Sequence, residues 1–342
     1  MKIIPGLRSS NYLARFGIFL IITALITGIP VSYGVAGDDN QPSQNLEIYT
    51  WYDLDDGRDN LSGDHILMND LNATTPGYTL LASPTANGGK GWQPIGYSTP
   101  SPVGCMGMPT PSIKHGLSGT LDGQGYEIHD LFINRPDEYE VGLFAYLNEG
   151  GIIKNVGVVN CTLVAHNFVG SLVGHKIGGT ISNCYSICNV TGYADIGGLV
   201  GSNYRGNISN SYSTGSVSSR WSTGVGGLTG DSGSGAIIRN CYSTCSVSGN
   251  LAIGSGDIGG LVGDNYNVEG VISSFWDIET SGQDTSDGGT GKNTTEMHDI
   301  ATFSDAGWNI IAVVNTTMRD PSYIWNIVNN VTYPFLSWQP VS

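Results

Sequence analysis

The sequence predicts an all-β chain folded as a right-handed parallel β-helix, a β-solenoid of about five coils with an N-terminal and a C-terminal cap. The first observation is a recurring phrase. Gly170-Ser171-Leu172-Val173-Gly174 returns at Gly197–Gly201, Gly226–Gly230 and Gly259–Gly263, after a weaker copy at Gly142-Leu143-Phe144-Ala145. The leucines 143, 172, 199, 228 and 261 fall 29, 27, 29 and 33 residues apart, and self-similarity at such a period marks a stacked repeat. The second observation is a phrase downstream of each copy: Ile181-Ser-Asn183-Cys184-Tyr185, Ile208-Ser-Asn210-Ser211-Tyr212, Ile238-Arg-Asn240-Cys241-Tyr242 and Ile272-Ser-Ser274-Phe275-Trp276. The third is the absence of a helical period within the unit. Three strands of roughly five residues with turns of about four account for its length.

Each coil element has a stacking rationale. Neighbouring coils lie roughly 4.8 Å apart, so equivalent residues form columns. Asn155, Asn183, Asn210 and Asn240 then form an amide ladder. Alternation along the strand sends Cys184, Ser186, Cys188 and Val190 inward and Tyr185, Ile187 and Asn189 outward. The outward set places Tyr185, Tyr212, Tyr242 and Trp276 in one aromatic column, a candidate surface for stacking on sugar rings. The competing reading is that these rings stack on each other or lie under a loop, stiffening the coil.

These phrases resemble the GLUG repeats, named for their Gly-Leu-x-Gly core, over about Val141 to Glu279. Gly119-Thr-Leu-Asp-Gly-Gln-Gly-Tyr-Glu-Ile resembles the strand that enters such a solenoid, and Trp276–Gln283 with Gly288–Gly291 resembles its exit. The resemblance implies a β-helix at the cell surface, often adhesin-like, and no fixed chemistry.

Along the chain, residues 1–36 read as an export signal: Lys2, Arg8 and Arg15 precede the apolar run Phe16–Pro30, and Gly34-Val35-Ala36 is a small-residue cleavage site. Expected location is therefore secreted or cell-surface, with no stable membrane insertion once the signal is removed. Residues 37–118 read as an N-terminal cap and entry loop, 119–280 as the β-helix, and 281–342 as a loop and an aromatic cap over the last coil. Asp53-Leu-Asp55-Asp56-Gly57 has the wrong spacing for a calcium loop and reads as a solvated helix. Trp92 and the Pro-rich 99–112 read as cover for the first coil, and Thr294-Thr-Glu-Met-His opens a short helix.

Composition narrows the partners. Glycine supplies 50 of 342 residues, charged residues only 13%, and the formal net charge is −15. That balance argues against nucleic acid and anionic membranes. Glycans, cell-surface proteins and further copies of the chain remain as partners, and no cofactor or metal is expected.

Six cysteines in an exported chain suggest disulfides. Only Cys161 and Cys188 fall in adjacent coils at nearly one column, whereas the two Cys-x-x-x-Cys pairs lack the further ligands zinc needs and read as small buried hydrophobes. A second outward column, His175, Ser202, Asp231 and Asp264, brings Asp231 and Asp264 about 5 Å apart, a separation a retaining glycosidase uses. Asp195 and Asp257 share a further column. Such residues beside glycine are also ordinary turn residues. The expected function is an exported adhesin-like or structural envelope protein presenting a rigid surface, with a polysaccharide-active lyase or glycosidase as the alternative.

Overall fold

The computed structural model describes residues 45–99, 112–221, 223–250 and 256–340. The export signal, Cys105 and most of the Pro-rich segment lie outside these residues. The rest is a β-solenoid wound from parallel sheets. One coil reads Thr180–Ser182, Tyr185–Gly192, Ala194–Gly197 and Val200–Asn203 before Gly206–Ser209 begins the next. Each coil thus carries four strands where the sequence suggested three, because Gly-Leu-x-Gly is itself a corner between two short strands. The corresponding sheets have eight, nine, four and five strands among the described residues.

Stacking starts earlier than the first glycine phrase. Leu46–Ile48 pairs in parallel with Asp64–Leu67, which pairs with Thr120–Asp122, so residues called a cap supply rungs of the first sheet. The helix Trp51–Asp56 between them is closed by a Thr50/Asp53 capping box. It is not wholly solvated: Trp51 and Leu54 are buried, and Trp51 packs beside Trp92 with ring centroids 5.6 Å apart. Trp92 is itself fully buried, its indole N–H donating to the Leu143 carbonyl.

Inside the coils, the five motif leucines are completely buried. Cys184, Cys188, Val190 and Val217 join them in one continuous core. Cys161 and Cys188 are register partners across adjacent coils and form a disulfide with Cα atoms 4.7 Å apart. A bulge at Asn160 brings them level. Cys184, Cys241 and Cys245 are buried thiols. The corner before each of these strands is an Asn in the left-handed region: Asn155, Asn183, Asn210 and Asn240 have φ of 54°, 53°, 47° and 53°. Asn tolerates this conformation better than most residues. Asn183 donates to Asn155 at 3.1 Å and Asn240 to Asn210 at 3.5 Å. Between those pairs the side-chain oxygen of Asn183 has no protein partner, so the amide ladder is interrupted.

The aromatic column differs from expectation in two ways. Tyr185 pairs with Tyr212, Tyr212 with Tyr242, and Tyr242 with Phe275, whereas Trp276 pairs with Ser243. Val271, not Ile272, is the register partner of Ile238, the same 33-residue step that separates Leu228 from Leu261, so matching the phrase by its isoleucine places it one residue late. Trp276 therefore points into the core and Phe275 is the fourth outer ring.

The column is also covered. The C-terminal segment does not cap the final coil; it lies along the flank of the nine-stranded sheet. Its strands Ile310–Ala312, Trp325–Ile327 and Phe335–Leu336 carry Trp308, Trp325 and Leu336 onto the tyrosines. The Tyr212 hydroxyl donates to Gln339 at 2.9 Å and the Tyr242 hydroxyl to the Pro334 carbonyl at 2.6 Å. Trp338 packs against Tyr185. The final coil is closed instead by residues 285–292: Ser286 Oγ accepts from the backbone N–H groups of Leu261 and Val262, and Thr290–Lys292 adds a strand beside Phe275–Asp277. The expected short helix is present at Thr294–Met297.

Tyr212 is sandwiched between Tyr185 and Tyr242, with centroids 5.1 and 4.8 Å away and planes within 4°. Tyr212→Ala is expected to lower unfolding free energy by about 3–5 kcal/mol in chemical denaturation. Tyr212→Phe, which removes only the bond to Gln339, is expected to lower it by about 1 kcal/mol.

Candidate functional site

Burial of the tyrosine column removes it as a binding surface: Tyr185, Tyr212, Tyr242 and Trp276 are all at most 5% exposed. Tyr185 hydrogen-bonds Glu127, and its hydroxyl is pushed far above the usual phenol range, first by burial. The three tyrosines, with Phe275, fasten the C-terminal segment to the coils.

A different line of rings lies outside. Tyr139, His166, Tyr193 and Trp221 come from successive coils and stack with centroid spacings of 4.6, 4.8 and 5.2 Å and interplanar angles of 24°, 30° and 25°. Backbone bonds hold the line in register, Tyr193 N–H to the His166 carbonyl and Trp221 N–H to the Tyr193 carbonyl. Tyr139 is half exposed, and the other three are partly so. A hollow of about 230 Å³ opens beside the middle rings, bounded among others by Pro136, Asp137, His166, Thr191, Tyr193 and Arg220. The sequence reading missed this line because its residue types differ from coil to coil. Its signal was an aromatic ring three to five residues before each of the first four glycine phrases.

The acidic column is in the expected register. His175 pairs with Ser202, Ser202 with Asp231, and Asp231 with Asp264. The next strand over adds a third carboxyl: Asp195 stands at the left-handed corner (φ 55°) that precedes Gly197. Its side chain occupies the space over Gly224, where a Cβ would lie 2.5 Å from Asp195 Oδ1. Asp195 is pushed up to about 7 by burial and then by the charges of Asp231 and Asp264. Asp231 is pushed up to about 6, first by burial, against a lowering hydrogen bond from Ser202. The exposed Tyr266 donates to Asp264, which drives its phenol up to about 12. Asp195 and Asp257 each precede a residue of the ladder Ile196–Val225–Ile258, two coils apart.

Two neighbouring carboxyls, one held protonated near neutrality, can in principle donate and accept a proton. No group of three or more His, Cys, Asp or Glu among the described residues is arranged to hold a metal ion. One buried cation went unnoticed in the sequence: Lys176 is fully buried, bonds the Arg205 carbonyl, and is lowered to about 7 by burial.

The raised acids set a pH dependence. A carboxyl whose folded pKa exceeds its unfolded value adds stability at low pH and loses it as pH rises through the folded value. Melting temperature should therefore fall between pH 5 and pH 7 through Asp195 and Asp231, with Lys176, lowered to about 7, opposing any further fall above pH 7. Asp195→Asn, which keeps a residue tolerant of φ near 55°, should melt higher than the parent at pH 8 and flatten that slope. Thermal melts of both proteins across this window check the sign.

The family model described as "The GLUG motif" matches residues 192–218, which is one full coil measured from corner to corner. Halomucin of Haloquadratum walsbyi is 32% identical over 106 residues, 31% of this chain and 1% of that protein. A protein of Evansella cellulosilytica with the provisional name Gly-rich membrane protein is 30% identical over 94 residues, 27% of this chain and 9% of that protein. The chain thus matches only a small part of either relative, and no solved structure matches it significantly. The chain is thus a β-solenoid with a GLUG motif at residues 192–218, and its coil geometry repeats on both sides of that motif.

Proposed function

We propose that this chain works at the cell surface as a rigid display rod, adhesin-like or structural, with glycans or surface proteins as its partners. The observation that carries this reading is the division of its aromatic residues. One column is spent on fastening the C-terminal segment along the coils, and a second, Tyr139–His166–Tyr193–Trp221, is left on the outside. A solenoid held flat by a lateral segment resists bending, and rigid outer lines are what repeat proteins use for extended contact. The relatives, a halomucin and a Gly-rich membrane protein by name, support an envelope setting. So does the formal charge of −15 with few charged residues.

A polysaccharide-active enzyme is the second reading, favoured by the adjacency of Asp231 and Asp264. Asp231→Asn separates the two, since loss of product release from a polysaccharide follows only if the chain turns substrate over.

Surface display is tested on intact source cells with a membrane-impermeant amine-reactive biotin. The exposed lysines Lys90 and Lys154 offer reactive amines. Labelling of intact cells equal to that of lysed cells is expected. Labelling that appears only after lysis would contradict the proposal.

A further inference from the structure

The outer ring line and the hollow beside it form a site whose chemistry is specific enough to name a ligand class. Within the line, each ring face is covered by the next ring at 4.6 to 5.2 Å, so the inner rings present edges outward and the end rings keep one face. The hollow lies against His166 and Tyr193, with Pro136 as an apolar wall. Around it stand one carboxylate, Asp137, one guanidinium, Arg220, and one hydroxyl, Thr191. Asp137 and Arg220 are both exposed, and neither is in any of the ion pairs found among the described residues.

That set discriminates between ligands. A phosphate or carboxylate ligand would meet Asp137, and a cationic ligand would meet Arg220; each loses as much to the like charge as it gains from the opposite one. A neutral ring bearing several hydroxyls uses both, donating to Asp137 and accepting from Arg220, with charge-assisted bonds at each end. Its C–H groups pack against Pro136 and the ring edges of His166 and Tyr193. The volume is below the roughly 300 Å³ that drug-sized ligands occupy, so it suits a single small ring rather than a folded peptide.

We propose that the hollow bounded by Asp137, Thr191, Tyr193 and Arg220 binds one neutral sugar ring of a polysaccharide, with the ring edges of His166 and Tyr193 as its aromatic wall. This deepens the display reading and rests on it for biological meaning, but binding itself is independent of where the chain resides. A negative result here leaves the cell-labelling result standing, and the reverse holds too.

The test uses the purified full chain and four insoluble or gel-immobilised probes: cellulose, mannan and chitin as neutral polymers, alginate as an acidic one. Saturable retention on at least one neutral polymer is expected, with none on alginate. Arg220→Gln and Asp137→Asn alter exposed side chains at the rim, so both should fold as the parent does, shown by unchanged melting. Each should weaken retention at least about 10-fold, the loss expected when one charge-assisted bond goes. Tyr193→Ala should abolish retention, and Tyr193→Phe should retain most of it, which separates loss of the ring from loss of the hydroxyl. Absence of retention on all three neutral polymers overturns the proposal. So does retention that is strongest on alginate, or rim variants that bind as the parent does.

Discussion

Everything in this solenoid depends on how closely its coils approach at the Gly-Leu-x-Gly corner. There, backbone packs on backbone. A Cβ on Gly201 would lie 2.5 Å from the Gly174 carbonyl oxygen of one neighbouring coil, and a Cβ on Gly230 would lie 2.5 Å from the Gly201 oxygen. Gly170 and Gly263 meet the same limit, at 2.5 Å from Gly201 N and 2.6 Å from Gly230 O. No side chain larger than hydrogen fits without pushing the coils apart. The leucine between the glycines points inward and is fully buried in each of the five copies. One phrase therefore supplies the corner, the coil spacing and the central core residue together.

Uniform spacing at that corner determines what lies elsewhere on the coil. Identical columns bring like residues within stacking distance, which favours rings and strains acids. Tyr185, Tyr212 and Tyr242 gain parallel contacts and recruit Trp308 and Trp325 from a distant part of the chain. Asp231 and Asp264 are driven together by the same register, and Asp195 joins them from the preceding strand, so burial and mutual repulsion lift two of the three toward neutrality. The exposed rings Tyr139, His166, Tyr193 and Trp221 stack for the reason the tyrosines do, but with nothing laid over them.

Much of this was legible in the sequence. The repeat period, the inward leucines and the adjacency of Cys161 with Cys188 all follow from local spacing, and local spacing is what a period preserves. The acidic column was legible for the same reason. Burial of the tyrosines was not, because it depends on contacts such as Tyr242–Pro334 and Tyr212–Gln339, 92 and 127 residues apart, and an aromatic column reads alike whether it faces a ligand or its own C-terminus. Trp276 was misplaced because the last phrase was aligned on Ile272 although the 33-residue leucine step points to Val271, and a slip of one along a strand exchanges the inner face for the outer. The early rungs Leu46–Ile48 and Asp64–Leu67 lack the glycine phrase and so gave no repeat signal. Asp195 went unconnected to Asp231 because the corner between them cannot be read from alternation along a single strand.

Backbone approach at the glycine corner holds the coils together, and a pair of glycine substitutions puts that to the test. Gly201 is the crowded position; Gly57 is the control, with φ of −57° and no atom nearer than 3.6 Å to an added Cβ. Chemical denaturation of Gly201→Ala and Gly57→Ala should show the first losing more than about 2 kcal/mol through overpacking. The second should be unchanged or gain up to about 1 kcal/mol from a stiffer unfolded chain. If both variants unfold within about 0.5 kcal/mol of the parent, a range typical of surface substitutions, the coils are not spaced by that contact and the account fails.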